Sequence, residues 1–204
     1  MVKPALLLLN GPLGDRVALK RRAAAAGFIV CADGGAKNAK ALGLTPRVVV
    51  GDMDSVPHPL PRWKGTVYLF DDDPDTSDFE KALAFLHEGG AGQVWVAGLW
   101  GGRPDHQLVN LAVFERWSRR LSMAAIDPGW TMLAGPGRHV IPCPAGAVVS
   151  LVPSGASARV TTKNLEFPLS RSLLARGSRG LSNKATASPV EVVVHSGRLW
   201  LTLA

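Results

Sequence analysis

Short apolar runs alternate with helical stretches through the first part of the chain: Leu6–Leu9 then residues 15–26, Phe28–Cys31 then 35–42, Val48–Val50, Val67–Phe70 then 77–88, and Val94–Ala97 then 105–120. Unbroken apolar runs separated by helices are the pattern of βα units on a mostly parallel sheet, whose ligands bind beyond the carboxyl ends of the strands. After Ser122 the rhythm changes to short strand-like pieces, among them Val148–Val152, Ala158–Thr161, Val190–Val194 and Leu199–Leu203, punctuated by Pro and Gly. That pattern predicts an antiparallel β domain. The expected fold class is α/β: a mostly parallel, Rossmann-like sheet with flanking helices over residues 1–124, then a smaller antiparallel β-sandwich-type domain over residues 125–204.

Composition narrows the class further. With 204 residues, 47% of them hydrophobic and 19% charged, the chain can bury a sizeable core, which excludes general disorder. Its early apolar run, Ala5–Leu9, stops at Asn10-Gly11, far short of the ~20 residues a spanning helix needs. The run also lacks a strong basic leader and a small-residue cleavage site, so the expected location is the cytoplasm, away from membranes. Cys31 and Cys143 supply neither a disulfide framework nor a CxxC metal or redox motif and read as packing thiols. The net charge of +7 is uneven: residues 1–122 hold 15 Lys/Arg against 13 Asp/Glu, and residues 123–204 hold 8 against 3. Arg159, Arg171, Arg176, Arg179 and Arg198 are scattered without interleaved aromatics, which argues against a nucleic-acid partner and fits a surface that attracts small phosphorylated molecules.

Chemistry gathers where the strands end. Val48–Val50 gives way to Gly51-Asp52-Met53-Asp54-Ser55, Phe28–Val30 to Asp33-Gly34-Gly35, Val67–Phe70 to Asp71-Asp72-Asp73, and Val94–Ala97 to Gly101-Gly102-Arg103 and Asp105-His106. Asp52 and Asp54, two apart in an extended segment, project to one side, and such paired oxygen donors suit Mg²⁺ shared with a polyphosphate. Taken alone, the same Asp-x-Asp also makes an Asx-turn. In Asp75-Thr76-Ser77-Asp78 a hydroxyl caps the following helix while a carboxylate points to the cleft or serves only the helix dipole. Gly101-Gly102-Arg103 offers backbone N–H groups and a guanidinium to phosphate oxygens, or forms a plain glycine turn. The P-loop signature GxxxxGK[ST] and the dinucleotide signature GxGxxG are both missing from the sequence.

Four segments in order, Ala32-Asp33-Gly34-Gly35-Ala36-Lys37-Asn38, Gly51-Asp52-Met53-Asp54-Ser55, Asp75-Thr76-Ser77-Asp78-Phe79-Glu80-Lys81-Ala82-Leu83 and Gly98-Leu99-Trp100-Gly101-Gly102-Arg103-Pro104-Asp105-His106, closely resemble thiamine pyrophosphokinase. Gly180-Leu181-Ser182-Asn183 resembles that family's Ser-Asn segment. The resemblance implies transfer of a pyrophosphoryl group from ATP to thiamine, giving thiamine diphosphate and AMP with Mg²⁺ assistance. It implies that Asp52, Asp54 and Asp78 hold the metal, and that Asp33, Gly34, Gly35, Gly101, Gly102 and Arg103 line the ATP site. Asp78, Arg103 and Asp105 then carry catalysis, with either Asp78 or Asp105 taking the thiamine hydroxyl proton, and Ser182 and Asn183 hold thiamine. It further implies a homodimer whose active site is shared between subunits. Met53 replaces the usual Phe, Ser77 the usual Thr, and Lys184 follows Ser182-Asn183 where an acid or small polar residue is common.

Two other readings use the same residues. Val48–Val50 followed by Asp52-Met53-Asp54-Ser55-Val56 also resembles the first motif of haloacid-dehalogenase-type phosphatases, which makes Asp52 a nucleophile. That family needs a later lysine and acidic pair, for which no convincing counterpart follows residue 90. A non-catalytic nucleotide- or thiamine-binding module predicts binding without turnover, against which the acidic set stands intact.

Overall fold

The computed structural model describes residues 3–204, which divide into one unit ending at Pro128 and another running Gly129–Ala204. In the first, β1 (Ala5–Leu8), β2 (Phe28–Ala32), β3 (Val48–Gly51), β4 (Val67–Phe70), β5 (Gln93–Ala97) and β6 (Ser122–Ala125) lie in the order β6-β5-β1-β2-β3-β4. Every neighbouring pair is parallel, with Ala5 opposite Phe28 on one side and Val94 on the other. Four helices connect them: α1 (Arg16–Ala25), α2 (Gly35–Leu42), α3 (Asp78–Glu88) and α4 (Pro104–Trp117).

Burial explains the lack of alternation in these strands. Every residue of β1 and β3 is buried, the pattern of parallel strands in the middle of a helix-covered sheet. The helices start where local chemistry permits: Asp15 accepts from Val17 N–H and Ala18 N–H ahead of α1, and Ser77 Oγ accepts from Glu80 N–H ahead of α3. Helix α4 stops at Trp117, three residues short of the stretch expected from sequence, where the Ser118 hydroxyl donates to the Phe114 carbonyl at 2.7 Å. Among the described residues no helix is long and apolar enough to cross a membrane.

Strand order decides where a ligand fits. The chain proceeds from β1 outward through β2, β3 and β4, then returns to the opposite side of β1 with β5. The loops leaving β1 and β5 therefore diverge around a crevice, the usual ligand position in open parallel sheets. Two glycines make that junction possible: a Cβ on Gly11 would stand 2.3 Å from the Gly98 carbonyl oxygen, and one on Gly98 would stand 2.6 Å from that of Leu9. Asn38 of α2 ties the β1 loop down, its amide nitrogen donating to the carbonyls of Leu9 at 2.6 Å and Gly11 at 2.8 Å.

The second unit is all antiparallel. β7 (Trp130–Ala134), β9 (Val148–Pro153), β12 (Asn183–Lys184) and β14 (Leu199–Leu203) lie in the order β12-β9-β14-β7. β8 (Gly137–Ile141), β10 (Ser157–Lys163), β11 (Ser172–Ala175) and β13 (Val190–Ser196) form a sheet ordered β11-β10-β13-β8. Inward residues alternate with outward ones along β9, β10 and β13, and both strand sets bury them in one core that includes Leu151, Val160, Val192 and Leu201. Two antiparallel layers over one core make a β-sandwich. The antiparallel pattern expected after Ser122 begins at β7, because β6 pairs parallel with β5 in the first unit.

Candidate active site

Three carboxylates converge beyond the ends of β2 and β3. Asp33, Asp52 and Asp54 each offer one oxygen, and these atoms lie within 4.8 Å of one another. Backbone geometry puts them there: Asp33 (φ 37°) and Met53 (φ 67°) turn sharply in the left-handed region, and Asp33 N–H donates to the Val50 carbonyl at 2.7 Å. Asp33 Oδ2 accepts from Ser55 N–H at 3.1 Å. Its other oxygen is buried without a hydrogen-bond partner among the described residues. Asp52 Oδ1 accepts from Asp54 N–H at 3.1 Å, so the Asx-turn and the convergence of carboxylates are one structure rather than alternatives.

Electrostatics shows what this convergence costs. Burial, and then the charges of Asp78, Asp52 and Asp54, push the Asp33 carboxyl up to about 6. Asp78 is raised as well, chiefly by burial, with Lys81 opposing the shift. A buried acceptor lacking a donor inside a group of hard oxygen ligands fits a divalent cation such as Mg²⁺. Of the expected metal set, Asp52 and Asp54 lie in this group together with Asp33, and Asp78 lies outside it. Asp78, the first residue of α3, instead has its Oδ1 3.6 Å from the Lys81 ammonium. It remains close by: a Cβ on Gly51 would stand 2.7 Å from Asp33 Cβ and 2.8 Å from Asp78 Oδ1.

The cleft of about 570 Å³ beside these acids is lined by Asp33, Gly34, Asp52, Asp78, Gly101, Gly102 and Arg103, and also by Leu9, Asn10, Gly11, Lys81, His106 and Asn110. Gly35, Asp54 and Asp105 are not among its lining residues. For Gly35 the reason is packing, since a Cβ there would stand 2.0 Å from the Leu8 carbonyl oxygen and force α2 away from β1. The Gly101-Gly102 turn has φ of 78° and 80°, and Gly101 N–H is already held by the Gln107 side chain. Arg103 and Asp105 pair with each other, Nη2 to Oδ2 at 2.5 Å, on an exposed stretch, which draws Asp105 down to about 2.

In the second unit, Asn183 uses its carboxamide on the backbone of Phe167. Its Oδ1 accepts from Phe167 N–H at 3.1 Å, and its Nδ2 donates to the Phe167 carbonyl at 2.8 Å. Ser182, at φ 55°, donates its N–H to Ser150 Oγ at 2.9 Å. Phe167 is 67% exposed, so Asn183 presents an aromatic ring to solvent. Sequence reasoning missed Phe167, Asn10 and Lys81. The signal for Asn10 was present, because the first apolar run ends on Asn10-Gly11, but that end carries no acid.

Residues 19–125 match the family model described as thiamin pyrophosphokinase, catalytic domain, and residues 138–199 match thiamin pyrophosphokinase, vitamin B1 binding domain. The chain belongs to the thiamin pyrophosphokinase family. It is 29% identical over 202 residues to thiamine pyrophosphokinase 1 of Arabidopsis thaliana, covering 84% of this chain and 76% of that protein. Its fold is that of thiamine pyrophosphokinase from Bacillus subtilis, with a TM-score of 0.87, 20% identity and 99% of each chain covered. The thiamin pyrophosphokinase from Geobacillus thermodenitrificans gives a TM-score of 0.83 at 22% identity, covering 98% of this chain and 96% of the other. Membership in the thiamin pyrophosphokinase family makes the chain a transferase and sets aside the phosphatase reading of Asp52.

Proposed function

We propose that the protein transfers a pyrophosphoryl group from ATP to the hydroxyl of thiamine, releasing AMP and thiamine diphosphate. The observation that carries this reading is the acidic group of Asp33, Asp52 and Asp54 at the mouth of the switch-point cleft, in a chain whose two halves match the two thiamin pyrophosphokinase domains in order. Asp33, Asp52 and Asp54 would hold Mg²⁺, with Asp78 beside them. When bound, the ion supplies charge neutralisation for the polyphosphate.

The chain's own residues do the rest. Asn10, Gly34 and the Gly101-Gly102 turn line the cleft and would meet the phosphates. Arg103 offsets negative charge on the transferred group. Asp78 is the better proton acceptor of the two candidates: burial raises its affinity for a proton, whereas the Arg103 pair holds Asp105 near 2 and makes it a poor base. Asp105 orients Arg103. Phe167, its backbone gripped by Asn183, offers a ring face to the cationic thiazolium. We read the working form as a homodimer, on the strength of the family resemblance.

The test is purified protein with ATP, Mg²⁺ and thiamine, followed by chromatography. Equal amounts of AMP and thiamine diphosphate are expected. ADP with thiamine monophosphate, or phosphate release independent of thiamine, would contradict the proposal. Asp54→Ala is expected to remove magnesium-dependent turnover while leaving the fold, and size-exclusion chromatography with light scattering tests the dimer.

A further inference from the structure

Lys81 is the one fully buried cation among the described residues, with its side chain 6% exposed. Lysine is almost never buried this deeply unless it is paired. Its helix neighbours Phe79, Ala82 and Leu83 are buried and apolar, whereas Lys81 also borders the cleft. What the ammonium does is join two points of the chain. It donates to the main-chain carbonyl of Asp71 at 2.8 Å and lies 3.6 Å from Asp78 Oδ1, with Asp71 Oδ1 at 3.9 Å.

Asp71 follows the last residue of β4 and Asp78 opens α3, so these are the two feet of the acidic loop along the cleft. The loop fixes its own shape: Asp73 N–H reaches Asp71 Oδ1 at 3.1 Å, Asp75 N–H reaches Asp73 Oδ1 at 3.0 Å, and Thr76 Oγ1 reaches Asp73 Oδ2 at 2.9 Å. None of these bonds reaches the Asp78 carboxylate or the Asp71 carbonyl. We propose that Lys81 is a positioning residue of the transfer site: its buried ammonium draws both feet of the loop together and aims the Asp78 carboxylate at the acidic group. What the site does rests on the pyrophosphokinase reading; the tie itself does not.

Charge and position make opposite demands here, which gives a sharp test. Removing a cation that lies 3.6 Å from Asp78 and borders the same cleft as Asp33 and Asp52 tightens divalent-cation binding if charge alone matters. If Lys81 positions, binding weakens. Mn²⁺ is titrated into the full-length protein without nucleotide and followed by electron paramagnetic resonance, for wild type and Lys81→Met. Binding weaker by about tenfold or more is expected, because Asp78 then no longer turns its charge toward the ion that Asp33, Asp52 and Asp54 would hold, as when a carboxylate behind the ligands is lost. Turnover is expected to fall on the order of 100-fold, the usual consequence of a displaced reacting group. KM for thiamine should stay within about threefold, because the acceptor's own contacts are untouched. Mn²⁺ binding that is unchanged or tighter overturns the proposal. If Lys81→Met does not fold by circular dichroism, Lys81→Gln, which keeps an N–H donor but not the charge, is read by the same titration with weaker binding again expected. Should wild type form no thiamine diphosphate, the proposed reaction fails while the Mn²⁺ comparison still decides the role of Lys81.

Discussion

Arg103 and Asp105 neutralise each other across the start of α4, with Nη2 2.5 Å from Oδ2 and Nε 3.2 Å from Oδ1. A carboxylate held this way stays ionised at any working pH and accepts a proton poorly. Asp78→Asn should therefore lower kcat by about 10²–10⁴-fold, the range of a lost general base. Asp105→Asn, which only loosens Arg103, should cost about tenfold by the same scale. Steady-state kinetics of the two variants checks the order, and its reversal would move the proton to Asp105.

Asp33 works against the fold when no cation is present. Its carboxyl is raised from 3.8 to about 6, so the native state holds a proton that the unfolded chain has released, and stability declines as pH rises through that window. Above about pH 6 the ionised group is a constant burden, on the order of 3 kcal/mol. Asp33→Asn should accordingly melt higher than wild type in chelator at about pH 8 and match it at about pH 4. Mg²⁺ should raise the melting temperature of wild type but not of the variant. A variant that melts lower at both pH values would contradict this account.

Gly51 is the residue on which Asp33 and Asp78 close. Its φ of 145° and the 2.7 Å and 2.8 Å approaches leave no room for a methyl group. Gly51→Ala should lose about 1–3 kcal/mol of stability from strain and crowding, together with most turnover. Gly43 is the control: φ is 68° but nothing lies within 4 Å of its Cβ position. Gly43→Ala should cost about 1 kcal/mol through the backbone alone and keep kcat. Urea denaturation and initial rates on both variants separate strain from damage to the site.

Asn183 and Phe167 should behave as one element. Either Asn183→Ala or Phe167→Ala should raise KM for thiamine more than KM for ATP. The double variant should be little worse than the worse single, a coupling of about 0.5–3 kcal/mol in a double-mutant cycle. Additive effects would show that Asn183 does not act through residue 167.

The βα rhythm and the four acid-bearing strand ends could be read from the chain because both depend on local pattern. Which acids meet could not. Asp33 and Asp78 stand on different elements, and only the sharp turn at Asp33 and the missing Cβ at Gly51 bring the first into the group and leave the second against Lys81. Gly35 was expected at the ATP site beside Gly34; the close approach of α2 to the Leu8 carbonyl, which also requires a glycine there, is a long-range contact without local signature. Asn183 was expected at thiamine; that its carboxamide holds the Phe167 backbone was not legible, because a side chain that mimics a strand partner cannot be told by sequence from one that meets a ligand.

The position of β1 between β2 and β5 also orders events during synthesis. Pairing of Ala5–Leu8 with Phe28–Cys31 needs only a short length of chain, whereas pairing with Val94–Ala97 waits for three further strands and their helices. Contacts of such sequence separation form late because long loops must close first. The Leu9–Gly11 and Gly98–Arg103 walls meet only through that second pairing, so the nascent first unit possesses its acids well before it possesses its cleft.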